Sequence, residues 1–182
     1  MTRRIAVARV TLALMMLGAG QAFAHPQEPS PTHVRADSPH VRALIDEGVR
    51  RSPTIRALVD QVDRSDVVVY VRMRDLPRVQ LDGRLSLLTV SGGRRYLVVE
   101  LSCERPREVQ LATLGHELRH AVEIADEPSV TDSHALARFF ARIGTDMGGW
   151  QEQAFETAAA ASAGRQVHHD LVAPGRRRAN GM

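Results

Sequence analysis

The residues most able to do chemistry in this chain lie at positions 114–123, around the pattern His116-Glu117-x-x-His120. On an α-helix, positions four apart lie on one face, about one turn from each other. Two imidazoles at that spacing can bind one tetrahedral zinc ion, and the glutamate beside the first histidine can act as a general base toward water. The spacing therefore predicts His116 and His120 as metal ligands and Glu117 as a catalytic base.

The flanking residues favour a helix from about 106 to 126. Pro106 suits the first turn of a helix, where a missing N–H is tolerated, and Glu108 suits the positive end of the helix dipole. Apolar residues follow at helical spacing and predict a core-facing stripe: Leu111, Leu114, Leu118, Ala121 and Ala125. The two histidines lie on a second face, offset from this stripe, as expected for a pair that lines a cleft. The alternative is a helix whose histidines bond carboxylates or carbonyls and bind no metal.

The sequence LGHELRHAVE at 114–123 resembles the active-site helix of the zincin metallopeptidases. It is similar to small, secreted bacterial zincin-like proteins that use a glutamate ligand, and the similarity spans roughly residues 106 to 130. A looser similarity lies in FETAAA at 155–160. The resemblance implies a zinc ion, a helix-borne histidine pair and a glutamate that activates water.

A catalytic zinc site needs a third protein ligand and one open position. Glu156 is the predicted third ligand, because a carboxylate from a later helix resembles the arrangement in glutamate-ligand zincins. Glu152, on the same face of that predicted helix, is the fallback, and a solvent-exposed Glu156 without a ligand role is the open alternative. Asp126, ten residues after His116, is another candidate. The zincin class that uses this position needs glycine where this chain has Glu123, which counts against Asp126.

Glu123 has a different predicted role. It lies seven residues after His116, about 10.5 Å along the axis at 1.5 Å per residue, so binding a metal centred between the histidines would strain it. We expect Glu123 instead to hydrogen-bond the far ring nitrogen of His120 and so fix the tautomer of that ligand.

The first 24 residues have the pattern of a secretory signal peptide. Arg3, Arg4 and Arg9 precede or flank an apolar run at 10–20, which is about 11 residues long and shorter than the ~20 that span a bilayer. Small residues at 22 and 24 form a cleavage site. We therefore expect removal near Ala24, a secreted or periplasmic location and no stable membrane span.

Charge and cysteine content exclude further classes of function. The 24 basic residues are all arginine, against 21 acidic residues, and three of the arginines lie in the predicted signal peptide. The remaining chain is formally near neutral, so we predict no nucleic-acid partner. The single cysteine, Cys103, cannot form an internal disulfide, and we expect it to be a small buried residue at a strand end.

The rest of the chain predicts how the histidine helix is positioned. We expect a flexible leader at 25–37, a zincin-like domain at 38–172 and a disordered tail at 173–182. Within the domain the patterns predict two short helices from Pro39 and Pro53, a strand at 67–71, a hairpin at 85–101, the histidine helix, a helix to about Ile143, and an alanine-rich helix from Trp150 to about Leu171. This order predicts an α+β fold with a small, mainly antiparallel sheet. A strand of the hairpin is expected to offer an edge to a substrate backbone.

Together these patterns predict a zinc-dependent hydrolase, a metallopeptidase that uses zinc-activated water with Glu117 as general base and acts on a peptide or protein. The alternative is a catalytically inactive zincin-like binding domain with a structural or sensing metal. The complete motif favours the enzyme, because a structural metal site has no need of Glu117.

Overall fold

The structure, a computed structural model, describes residues 32–76, 82–146 and 155–172. The predicted signal peptide, the greater part of the predicted leader and the predicted tail lie outside these ranges. Within them, no helix has the length and apolar character needed to cross a membrane.

Two short helices follow the first described strand, as predicted. Helix α1 spans Pro39–Arg51 and helix α2 spans Pro53–Asp63. Each begins with a serine followed by proline, and the side chains of Ser38 and Ser52 accept a hydrogen bond from a backbone N–H in the first turn. This is the expected way for a serine N-cap and a first-turn proline to start a helix.

The helices pack on a four-stranded mixed sheet, in which the strand order is β1-β2-β4-β3. The strands are β1 Val34–Ala36, β2 Val67–Arg74, β3 Gly83–Ser91 and β4 Arg94–Ser102. The α+β class is therefore confirmed. The sheet is less antiparallel than predicted, because β1 pairs with β2 and β2 pairs with β4 in parallel. Helices α1 and α2 form the crossover between β1 and β2, and β3 lies outside β4, which leaves β4 parallel to β2.

The end of the predicted leader is wrong, because Val34–Ala36 is strand β1. Val34 is 1% exposed and pairs with Val69 of β2. Three residues are too few to show a strand period, so the proline-rich composition around them dominated the prediction.

The predicted hairpin is confirmed. Strands β3 and β4 pair antiparallel on either side of Gly92 and Gly93, whose φ angles are +58° and +72°. Positive φ at both central residues is what a tight primed turn requires, and glycine adopts it without steric cost.

Three further helices complete the described fold: α3 Arg107–Ala125, α4 Ser133–Ile143 and α5 Ala158–Val172. A two-stranded ribbon joins the last two, with β5 at Thr145–Asp146 and β6 at Phe155–Glu156. The core lies between one face of the sheet and the helices, and its members include Val69, Val71, Leu97, Val99, Leu111, Leu114 and Leu118.

The predicted start of the last helix is wrong. Helix α5 begins at Ala158, so Glu156 lies in strand β6 and not on a helix. The backbone N–H of Ala160 donates to the side-chain oxygen of Thr157, and the backbone N–H of Ala161 donates to the Thr157 carbonyl oxygen. Thr157 is therefore the N-cap of helix α5. Trp150 and Glu152 lie outside the described residues.

Candidate metal centre

Helix α3 carries the two histidines of the motif at the edge of the core. His120 is 5% exposed, and the side chain of His116 is 23% exposed. Their ring centroids lie 4.8 Å apart with the ring planes at 78°. The i, i+4 spacing thus places both rings side by side, one buried and one partly buried.

Strand β6 brings Glu156 to the histidine pair. One ligand atom each from His116, His120 and Glu156 lies within 4.8 Å of the others, and His116 Nε2 is 3.7 Å from Glu156 Oε2. The other oxygen, Oε1, is buried without a hydrogen-bond partner. A buried carboxylate oxygen that lacks a donor is costly unless a cation or donor occupies the space beside it. The three side chains therefore fit a divalent metal ion.

The histidine nearer to solvent is held neutral. Burial, aided by the nearby charge of His120, lowers the pKa of His116 to about 4. A neutral imidazole has a free lone pair, which is the form that binds a metal.

Glu117, the predicted base, is 5% exposed on the same helix. Burial raises its pKa to about 7, the charge of Glu156 acts in the same direction, and His120 opposes it. A carboxyl group with a pKa near neutrality can both accept and release a proton at physiological pH.

The edge strand β3 starts directly against this base. A Cβ atom at Gly83 would lie 2.5 Å from Cγ2 of Thr113 and 3.2 Å from Oε1 of Glu117, so the strand reaches helix α3 only because residue 83 is glycine. No role in the site was predicted for Gly83, and its part there was missed. A glycine at a strand end does indicate a close backbone approach, and it is the pattern from which the contact could be inferred.

The predicted hydrogen bond between His120 and Glu123 is present. Nδ1 of His120 lies 2.9 Å from Oε2 of Glu123, and Glu123 is 8% exposed. Burial is the largest single effect and opposes both charges, but this bond and the neighbouring bonds and charges together outweigh it, raising the pKa of His120 and lowering that of Glu123. Because Nδ1 is engaged, Nε2 of His120 is the nitrogen left to face a metal.

One further side chain bonds Glu123 and another lies near it, and neither contact was predicted. Its Oε1 accepts a hydrogen bond of 2.9 Å from the hydroxyl of Thr157, and Nε of Arg119 lies 3.8 Å from the same oxygen. Thr157 is 3% exposed. A threonine just before an alanine-rich run indicates a helix cap, but its contact with Glu123 depends on how α5 packs on α3.

Glycines allow α3 and α5 to pack closely. A Cβ atom at Gly115 would lie 2.5 Å from Cγ2 of Val167. At Gly164 it would lie 3.5 Å from Cβ of His116 and 3.4 Å from the carbonyl oxygen of Ala112. This close crossing brings the start of α5, and with it Glu156, to the histidines.

Asp126, the other predicted ligand candidate in the described residues, lies outside the cluster as the exposed C-terminal cap of α3. Three further histidines are exposed: His134, His168 and His169. Cys103 is exposed, so the predicted burial is wrong. Its backbone N–H still bonds Arg74, but it lies in the turn after β4, beyond the end of the strand, where its side chain reaches solvent.

The donor set is two imidazole nitrogens and one carboxylate, with a second carboxyl group alongside. This set suits a tetrahedral zinc ion with one open position. Comparison with protein-family models, with curated proteins and with solved structures found no match to this chain.

Proposed function

We propose that this protein is a zinc-dependent hydrolase of the metallopeptidase class. The observation that carries the proposal is the convergence of His116, His120 and Glu156, whose ligand atoms lie within 4.8 Å of one another. These residues would hold the zinc ion, with His116 neutral and His120 fixed by Glu123. A zinc ion bound there supplies positive charge that polarises a carbonyl group and makes water more acidic.

Glu117 is the proposed general base. It takes one proton from the attacking water as the oxygen bonds to the scissile carbonyl carbon. It then gives that proton to the leaving amine as the C–N bond breaks, so the same carboxyl group ends each cycle as it began. Its burial and its pKa of about 7 support this role, because both transfers are then accessible near neutral pH.

The edge strand supports a peptide as substrate. Strand β3 is at the edge of the described sheet, and its first residue, Gly83, reaches the proposed base. An extended peptide paired with this edge would have its backbone beside Glu117, as in the zincins that the sequence resembles.

The test is zinc content and peptide hydrolysis by the protein and three variants. Glu117→Gln should retain one zinc per chain and lose about 10²–10⁴-fold in hydrolysis rate, because glutamine keeps the shape of the side chain and cannot accept the proton from water. His116→Ala should lose zinc. His134→Ala is the control, because it removes an exposed histidine outside the cluster and should change neither property.

Each result has a distinct meaning. If the wild-type protein binds no zinc when zinc is supplied, the proposed function is wrong. Zinc bound through His116 without turnover on broad peptide mixtures replaces the enzyme with a binding domain whose metal is structural or sensing.

A further inference from the structure

Thr157 stands where three parts of the site meet. It follows the proposed ligand Glu156 directly, it caps helix α5, and its hydroxyl contacts Glu123 on helix α3. It is 3% exposed, so water does not compete for these bonds. Thr157 therefore links the carboxylate that orients His120 to the strand that carries Glu156.

The chemistry of the groups fixes the direction of each hydrogen bond. The N–H of Ala160 can only donate, so the hydroxyl oxygen of Thr157 accepts at 3.0 Å. Its single proton is then given to Oε1 of Glu123 at 2.9 Å. Oε2 of the same carboxylate accepts from Nδ1 of His120, which leaves the lone pair on Nε2.

We infer that Thr157 is a positioning residue for the metal centre. It holds Glu123 so that His120 keeps its Nδ1–H tautomer, and through its cap it holds Glu156 beside the histidines. The same residue thereby sets two of the three proposed ligands. This inference rests on the proposed function, because its purpose is a site that binds metal.

A cap alone does not account for this arrangement. Ser52 caps helix α2 in a comparable way, since its hydroxyl accepts from Ile55 N at 3.1 Å and donates to Oδ2 of Asp170 at 2.6 Å. It is fully buried and touches no proposed ligand. Ser52→Ala therefore removes the same kind of bonds without involving the site, which makes it the matched control.

The experiment compares Thr157→Val, Thr157→Ser and Ser52→Ala by two readouts. The first is the zinc dissociation constant, measured by competition with a chelator. The second is the tautomer of His120 in zinc-free protein, measured from imidazole ¹⁵N shifts by NMR at about pH 9, where a histidine ring is neutral.

Valine keeps the size of the side chain and removes the hydroxyl. Thr157→Val should weaken zinc binding about 10–100-fold and give His120 a mixture of tautomers. Thr157→Ser should restore both properties. Ser52→Ala should leave both as in the wild type, although its unfolding temperature falls.

Several outcomes would overturn the inference. A Thr157→Val protein with wild-type zinc affinity and a single tautomer removes any positioning role. Equal loss in the serine and valine variants would show that the hydroxyl does not do the positioning, because serine retains it. If the wild type binds no zinc, the proposed function fails, and the NMR readout still decides whether Thr157 sets the tautomer.

Discussion

Among single residues, Glu117 has the most unusual environment. The unfolded chain exposes this carboxyl group to water, where it loses its proton near pH 4.5, whereas burial raises its pKa in the fold to about 7. Between these values the folded protein binds more protons than the unfolded chain. The free energy of unfolding therefore falls as the pH rises through this window.

This linkage gives a pH-dependent prediction for Glu117→Gln in zinc-free protein. Below about pH 4 the wild-type carboxyl group is neutral in both states, and the two proteins should be similar in stability. Near pH 8 the variant should be more stable by about 2–3 kcal/mol, because it no longer buries a charge. Urea unfolding at a series of pH values measures the difference.

The control for this prediction is Glu108→Gln, which removes an exposed carboxylate from the first turn of the same helix. Since solvent hydrates that group in both states, no buried charge is relieved. Parallel pH curves for wild type and Glu117→Gln would show that burial of Glu117 has no such cost.

Sequence spacing predicted much of the site at this scale. The i, i+4 spacing placed His116 and His120 side by side, and the reach of Glu123 predicted its bond to His120. Thr157 was missed because it contacts Glu123 from 34 residues away, and no local pattern reports such a contact. Glu156 was predicted from a resemblance, on a helix that begins two residues later.

At the scale of elements, the crossing of α3 and α5 determines whether the proposed ligands meet. Gly115 has no room for a Cβ, because the neighbouring Val167 is fully buried and branched at Cβ. A Cβ atom at Gly164, on the opposite helix, would make contacts of ordinary van der Waals length. The two glycines therefore make a matched pair.

We predict opposite effects of alanine at these positions. Alanine gains about 1 kcal/mol of helix propensity at either site. At Gly115 overpacking of about 1–3 kcal/mol opposes this gain, so the variant should be less stable and should bind zinc more weakly as α5 moves away. Gly164→Ala should be neutral or up to about 1 kcal/mol more stable.

Chemical denaturation and zinc titration of both variants check this contrast. A Gly115→Ala protein as stable as Gly164→Ala would show that the helices can separate without cost. The contact between α5 and α3 would then not be what holds Glu156 at the histidines.

Helix boundaries were predictable where the neighbouring residues identify the N-cap. Ser38 and Ser52, each followed by proline, gave the starts of α1 and α2. The start of α5 was placed too early because alanine-rich composition favours a helix and gives no boundary. Thr157 supplies that boundary through its bond to Ala160.

At the scale of the whole molecule, Arg95 fixes helix α3 to the sheet. It is 3% exposed, and its guanidinium donates to the carbonyl oxygens of Ile124, Ala125 and Glu127 at the end of α3. It also makes two hydrogen bonds to Asp66, whose pKa they lower. The guanidinium thus adds hydrogen bonds to carbonyl groups at the end of the helix, and those of Ile124 and Glu127 also accept from a backbone N–H.

Arg95→Met should cost about 1.5–3 kcal/mol of stability, because it removes the hydrogen bonds from a buried guanidinium to Asp66 and to three carbonyl groups at the end of α3. Arg94→Met is the control. The Arg94 side chain is exposed, bonds His33 and acts on Asp66 only as a nearby charge, so its loss should cost less than about 0.5 kcal/mol. Thermal unfolding of the two variants measures the difference, and equal melting temperatures would contradict the anchoring role.

The way in which the strands and helices are arranged was harder to predict than the elements themselves. The strands and helices were largely found, but the parallel pairing of β2 with β4 depends on which side of β4 the hairpin partner occupies. Arg95 looked like an ordinary strand residue, since the carbonyl groups it binds are about thirty residues away. Long-range contacts of this kind leave no period in the sequence.

The position of β6 near the end of the described chain has a consequence for protein synthesis. A protein is synthesised from its N-terminus, so the histidine helix emerges from the ribosome before Glu156 and helix α5. Until those residues have folded onto α3, the nascent chain carries a histidine pair without the third side chain. Any activity that depends on all three therefore has to wait until strand β6 and helix α5 have emerged and folded onto α3.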